Sequence, residues 1–327
     1  MSKTLPIVFF GSDNFSIHFL KNFIKKYKPL LVLTLKPKPK GRGLKITPNP
    51  VFLFCLKEKL NIIELENWEN FKEKIIPLNP QAGIIASFGK IIPQDVMNLF
   101  PKGIINVHPS LLPKYRGPNP IRETILNNDK QAGTTLFIID EQIDHGPIIS
   151  QEKIELTGKE TYLELEEKLA KLGADLIKNI IEKFLTEKID LKIQNDLIAT
   201  YTEKLSKEDG KLNLEDDYST WDKKIRALNP CPSTYIYLPN KIKTENSTNE
   251  KIIYKMLKVF KIEKINTGNL PKEILKTEIG EFFEFKNELG LKLKDAFIFL
   301  KEVQLEGKKR MSGKEFLNGF RKLIFKR

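Results

Sequence analysis

Asn106 and His108 have the side chains best suited to chemistry. They follow a short apolar run, and in an extended chain residues two apart point to one face. An amide and an imidazole on one face can reach a single substrate atom. An isolated Asn-x-His pair is more often a satisfied polar strand end, so its company decides. Ser110-Leu111-Leu112-Pro113 follows almost at once, and its proline fixes the chain as a binding loop requires. Further on, an apolar run from Gly133 ends at Asp140. An acidic loop with Asp144, His145 and Gly146 then precedes a second apolar stretch.

Apolar runs at residues 6–10, 30–35, 82–87 and 103–107 read as buried parallel strands, and residues 15–27, 50–59 and 93–99 as the helices between them. This alternation predicts a doubly wound, mostly parallel α/β sheet covered on both faces. Ligand crevices of such sheets lie beyond the carboxyl ends of the strands, where Asn106 and His108 fall. Gly11 lacks the later glycines of a dinucleotide fingerprint. Residues 160–187 predict a helix with Leu163, Leu165, Leu169, Leu172, Leu176 and Ile180 on its face, and His18 belongs to the first helix. Beyond residue 206, short β-rich segments separated by turn signals at Leu238-Pro239-Asn240 and Glu288-Leu289-Gly290 predict a small antiparallel, OB-like barrel. The expected organisation is a catalytic domain at 1–188, a linker at 189–206 and a barrel domain at 207–327.

The net charge of +13 is segregated: residues 1–50 carry +9, residues 251–327 carry +9, and the middle carries −5. Segregated positive charge suits a polyanion partner, since Lys and Arg on phosphates release counterions. No apolar run reaches the ~18 residues that a membrane span needs. The N-terminus has no basic start and long apolar stretch of the kind that marks secretion. Two cysteines, Cys55 and Cys231, stand far apart, which argues against a disulfide framework or structural zinc and for a reducing cytoplasm.

Asn106-x-His108, Ser110-Leu-Leu-Pro113 and Asp144-His-Gly-Pro-Ile148 resemble, in order and spacing, the folate-dependent formyltransferases. The resemblance implies Asn106, His108 and Asp144 as the catalytic triad, 10-formyltetrahydrofolate as donor, and no metal. It also implies that Phe88, Gly89, Lys90, Ile91 and Ile92 line the pterin pocket, with Ser110, Leu111, Leu112, Pro113 and Asp140 as further donor-binding residues. An amine attacking a formyl carbon builds charge on the formyl oxygen, which an Asn amide and a His N–H can bind. Asp144 can orient His108 or accept a proton through water. His145 is expected to be a loop side chain, and Cys55 a core residue.

The loop at residues 36–50, with Gly41-Arg42-Gly43, resembles the tRNA-binding loop of the methionyl-tRNA formyltransferases. Ala199-Thr-Tyr201, Ile225-Arg-Ala-Leu-Asn-Pro230 and the stretch 305–319 resemble their linker and C-terminal domain. That branch implies a monomer that formylates the α-amino group of methionyl-initiator tRNA, with Lys38, Lys40, Arg42 and Lys45 on the RNA. Glycinamide ribonucleotide and amino-sugar nucleotides are the alternative acceptors. A catalytically dead RNA-binding protein is disfavoured by the intact triad. Departures are Arg116-Gly-Pro-Asn-Pro-Ile121 where R-G-A-A-P-I is usual, and Asn229-Pro-Cys-Pro-Ser233 for N-P-W-P-G. The Lys-rich stretch 36–40 replaces one that normally includes an Asp. Because a planar guanidinium pairs with phosphate or a base edge as a lysine cannot, Arg42→Ala is expected to cut formylation of methionyl-tRNA while folate binding stays intact. Unchanged formylation kinetics across salt concentrations would remove the loop from the RNA site.

Overall fold

The computed structural model describes residues 2–37, 48–243 and 250–325. The described chain forms two compact units, one running to residue 124 together with 129–203, the other from 204 onward together with 125–128.

Up to Glu203 the chain contains β1 (Lys3–Phe10), α1 (Asn14–Phe23), β2 (Tyr27–Leu35), α2 (Pro50–Lys57), β3 (Ile62–Leu65), α3 (Trp68–Ile75), β4 (Ala82–Ile85), α4 (Gln94–Met97), β5 (Ile104–His108), α5 (Pro120–Leu126), β6 (Gln131–Ile138), β7 (Ile148–Glu155) and α6 (Tyr162–Thr186). The sheet order is β3-β2-β1-β4-β5-β6-β7, parallel through β5 and antiparallel from β5 to β7. Ile7, Val8, Phe9 and Phe10 are fully buried, as expected of a strand covered on both faces. Asp13 caps α1 in a reciprocal capping box with Ser16, whose hydroxyl also donates to the Ala86 carbonyl and so ties the start of α1 to the end of β4. The β3 and α3 segments were not distinguished in sequence.

Helix α6 starts in a Thr161–Glu164 capping box. Its buried stripe is Leu165, Leu169, Gly173, Leu176, Ile177, Ile181 and Phe184. Leu163, expected on that face, is instead 48% exposed, because the true stripe follows i, i+4 spacing from Leu165. A Cβ on Gly173 would lie 2.4 Å from Val107 Cγ1, so the missing side chain lets α6 press directly on β5. Cys55 is fully buried in α2, where burial pushes its thiol up to about 12. Cys231 is exposed. Among the described residues no helix is long and apolar enough to cross a membrane.

The second unit contains α7 (Tyr218–Leu228), β8 (Tyr235–Lys243), β9 (Glu250–Lys264), α8 (Lys272–Leu275), β10 (Phe282–Phe285), β11 (Glu288–Lys292), β12 (Phe297–Leu305), β13 (Met311–Ser312) and α9 (Gly313–Phe320). The expected β-rich domain is an antiparallel sheet ordered β10-β11-β12-β9-β8, with β13 on β12. Trp221, Leu257, Val259, Leu291, Leu300 and Phe316 form its core. Both expected turns are corrected. Leu238-Pro239-Asn240 lies inside β8, an end strand where a missing N–H is tolerated. Glu288-Leu289-Gly290 lies inside β11, and the turn falls earlier, at Lys286 (φ 53°) and Asn287 (φ 62°). Gly290 serves space rather than turning, since a Cβ there would meet the Phe283 ring at 2.2 Å.

Glu160, just before α6, is 5% exposed. Burial pulls its carboxyl up. The Thr157 N–H and hydroxyl (3.0 and 2.9 Å) and the Lys168 ammonium at 3.6 Å more than offset this and hold it at about 2. A depressed folded-state value stabilises above the ordinary value of 4.5, and the gain disappears as pH falls towards 2. Glu160→Gln is therefore expected to lose about 2 kcal/mol at neutral pH, read by urea denaturation. The gap between variant and parent should close through that acid window; a gap constant with pH would contradict the assignment.

Candidate active site

Strand β5 carries Asn106 and His108 on one face, and the loop from β6 to β7 folds back to bring Asp144 against them. Asn106 Nδ2 lies 3.4 Å from Asp144 Oδ1. His108 Nδ1 lies 3.6 Å from Asp144 Oδ2. The expectation that both side chains face an open crevice holds only in part. Asn106 is half-buried, but His108 is 5% exposed, set edge-on against Phe137. Its Nε2 sits 2.9 Å from the Tyr115 carbonyl. A carbonyl can only accept, so Nε2 carries a proton, and Nδ1 is the nitrogen that faces the carboxylate.

Asp144 has a left-handed backbone, φ 52°. Its Oδ2 accepts the Gly117 N–H at 2.7 Å, and the Gln194 side-chain amide donates to the carbonyls of Asp144 (2.9 Å) and Gly146 (2.8 Å). Gln194 Oε1 in turn accepts from Arg116 Nη2 at 2.9 Å and Nε at 3.2 Å. Arg116, 2% exposed, also donates to Asp196 Oδ1 (2.7 Å) and the Tyr201 hydroxyl (3.2 Å). His145 is more than a loop side chain: its Nδ1 is 2.7 Å from Asp140 Oδ2 and its Nε2 is 3.4 Å from Asp196 Oδ2. The bond to Asp140 raises the imidazole above its ordinary value, while Arg116 holds Asp196 below the carboxylate range.

The other expected site residues divide by burial. Phe88 stacks edgewise in the core on Phe10, and Ile92 is buried with it. Between them Gly89 (φ 79°) turns the chain, leaving Lys90 exposed and Ile91 82% exposed. Ser110 is buried, its hydroxyl donating to the Lys114 carbonyl. Leu111 lines a cavity of about 290 Å³. Leu112 packs on Phe137 and Ile148, and the Pro113 carbonyl accepts from Thr200 N–H. Asp140 is exposed and borders a larger cavity, about 690 Å³, with Met97, Phe100, Ile104, Ile139 and Glu141. Lys38, Lys40, Arg42 and Lys45 lie outside the described residues. Among the described residues no group of three His, Cys, Asp or Glu could hold a metal ion.

Sequence reasoning missed Gln194 altogether, and it quoted Gly117 and Arg116 only inside a motif. It also did not anticipate that residues 192–203 would bind along the loops of the candidate site. Arg116 N–H bonds the Thr200 carbonyl, and Thr202 N–H bonds the Arg116 carbonyl. The Asn119 amide reaches the Glu203 carbonyl at 2.5 Å, a bond that the usual alanine there could not make.

The fold is that of an α/β group-transfer enzyme followed by a smaller antiparallel unit. Residues 6–181 match the formyl transferase family and residues 204–321 match the formyl transferase C-terminal domain. The chain belongs to the formyl transferase family. It is 36% identical to a methionyl-tRNA formyltransferase of Dictyoglomus turgidum and 34% identical to one of Dictyoglomus thermophilum, each over 97% of both chains. Among solved structures it is similar to HypX from Aquifex aeolicus in complex with tetrahydrofolic acid (TM-score 0.65, 14% identity, 97% of this chain and 47% of that one). The chain thus spans about half the length of HypX. It is also similar to an N-formyltransferase from Helicobacter canadensis in complex with folinic acid and dTDP-3-aminofucose (TM-score 0.59, 19% identity, 90% and 98% coverage). At these identities the two structural likenesses are of fold alone.

Gly117 has φ 111°, and a Cβ there would lie 2.7 Å from the Thr202 carbonyl oxygen. Gly117→Ala is expected to cost about 1–3 kcal/mol of stability and to lower turnover, because the N–H on Asp144 shifts with the backbone. Wild-type denaturation midpoint and turnover together would contradict this.

Proposed function

We propose that the protein transfers the formyl group of 10-formyltetrahydrofolate to the α-amino group of methionyl-initiator tRNA. The observation that carries this reading is the convergence of the Asn106 amide and His108 Nδ1 on Asp144 at the end of β5. The donor is placed beside Asn106, where the exposed Asp140 offers an acceptor for the amino group or ring N–H of a pterin. Phe88 and Ile92 then support the exposed Gly89-Lys90-Ile91 edge from the core, while Ser110, Leu111, Leu112 and Pro113 shape the loop that carries the Tyr115 carbonyl.

The methionyl amine attacks the formyl carbon, forming a C–N bond and moving an electron pair onto the formyl oxygen. Asn106 has a second amide N–H besides the one towards Asp144, and this donates to that oxygen. The expected oxyanion bond from a His108 N–H is replaced, because its Nε2–H is taken by the Tyr115 carbonyl; His108 instead receives the amine proton on Nδ1, and Asp144 balances the resulting imidazolium. The bond from the formyl carbon to the folate nitrogen breaks, and that nitrogen takes the proton. The products are tetrahydrofolate and formylmethionyl-tRNA, with no covalent enzyme intermediate.

The acceptor is argued from the two relatives, similar over nearly their whole length, and from positive charge at both ends of the chain. A phosphate backbone would lie on Lys38, Lys40, Arg42 and Lys45 and on the second unit. The protein acts as a monomer in a reducing cytoplasm.

The test offers 10-formyltetrahydrofolate with methionyl-tRNA, glycinamide ribonucleotide or an amino-sugar nucleotide. Methionyl-tRNA should be formylated, and Asn106→Ala and His108→Ala should each lower turnover by on the order of 10². Circular dichroism checks that the buried His108 variant folds. Formylation of a small amine alone, or near-normal turnover in either folded variant, would reject the reading.

A further inference from the structure

We propose that Gln194 and Arg116 are positioning residues that hold Asp144 against His108, making the segment 192–203 part of the active site. The proposal rests on the reading of Asp144 as a reactive group. Asp144 sits in a loop whose backbone is unfavourable for a non-glycine residue, so its orientation has to be imposed by partners. One of those partners acts on the main chain. The Gln194 amide donates both of its protons, one to the Asp144 carbonyl and one to the Gly146 carbonyl. An amide oriented this way must present its oxygen in the opposite direction, and there Arg116 supplies two N–H groups.

The guanidinium is itself fixed. It is almost fully buried, and its remaining bonds go to Asp196 and Tyr201 in the same segment as Gln194. The residue after it, Gly117, gives its N–H to the Asp144 carboxylate. Arg116 therefore governs Asp144 from two sides, through Gln194 onto the backbone and through its neighbour onto the side chain. Asp196 adds a third tie, because it also faces His145, whose other nitrogen bonds Asp140 at the mouth of the same loop. Every polar group on Gln194 is used, so no smaller or differently charged side chain can replace it. A small displacement of the carboxylate matters because proton transfer and charge balance require near-contact geometry.

Gln194→Glu separates this role from packing. It keeps an acceptor for Arg116 but removes both donors to the loop carbonyls. Gln194→Met keeps the volume and removes all polar contacts. With methionyl-tRNA and 10-formyltetrahydrofolate, both variants are expected to lose about tenfold or more in kcat, with each KM within about threefold of the parent. Asp196→Asn, on a mostly exposed side chain, folds safely and should lower kcat a few-fold without moving KM. A folded Gln194→Glu with parental kcat, or a loss confined to KM, would overturn the proposal, as would parental kcat in Asp196→Asn should the Gln194 variants fail to fold. Asp144→Asn is the control: if it keeps full turnover, the reading of Asp144 fails instead.

Discussion

A single carboxylate in an unfavourable backbone conformation organises the candidate active site. A left-handed φ at a non-glycine residue costs on the order of 1–3 kcal/mol, and Asp144 holds one at 52°. The carboxylate is compensated by Gly117 N–H and faces the Asn106 amide, and the carbonyl behind it is bound by Gln194. These contacts draw on β5, on the loop after Pro113 and on the segment after Leu191. Three distant stretches of sequence must therefore fold together before the site exists. The sheet supplies the fixed part. Gly173 lets α6 lie on Val107, between Asn106 and His108, so the strand that presents both side chains is clamped from behind.

His108 shows how the surroundings assign roles within the site. Its Nε2 is committed to the Tyr115 carbonyl, which leaves one nitrogen for chemistry and aims it at the carboxylate. In the proposed reaction the imidazole takes a proton with its countercharge already in place. Asn106 keeps one amide proton towards Asp144 and has another to offer. Neither side chain needs to reorganise as charge develops, which is the condition under which fixed donors are worth most.

The parts of the fold governed by local pattern were legible in sequence. The buried strands showed as apolar runs, and the spacing of Asn106 and His108 put both on one face because strands have a period of two. Asp144 was recognisable only through resemblance, since nothing local says which carboxylate of an acidic loop turns inward. Gln194 carried no signal at all. A glutamine in a polar connector looks solvated until the fold places two carbonyls from fifty residues earlier against its amide. The turn errors in the second unit have the same origin. Pro239 and Gly290 are turn residues by propensity, yet an end strand tolerates the first and the Phe283 ring requires the second. Asn119 is a departure from the usual motif that the structure explains, through its bond to Glu203. Nothing in the structure explains Cys231.

The central claim is that one nitrogen of His108 is fixed to the backbone and the other is reserved for Asp144 and the substrate. Nitrogen NMR of histidine-labelled protein tests it directly, because His18 and His145 are the only other histidines to assign. The account predicts a neutral His108 ring protonated on Nε2, with a bare Nδ1 whose signal moves when Asp144 is changed to Asn. A ring protonated on Nδ1 with a bare Nε2 would contradict it, since the bond to the Tyr115 carbonyl could not then exist.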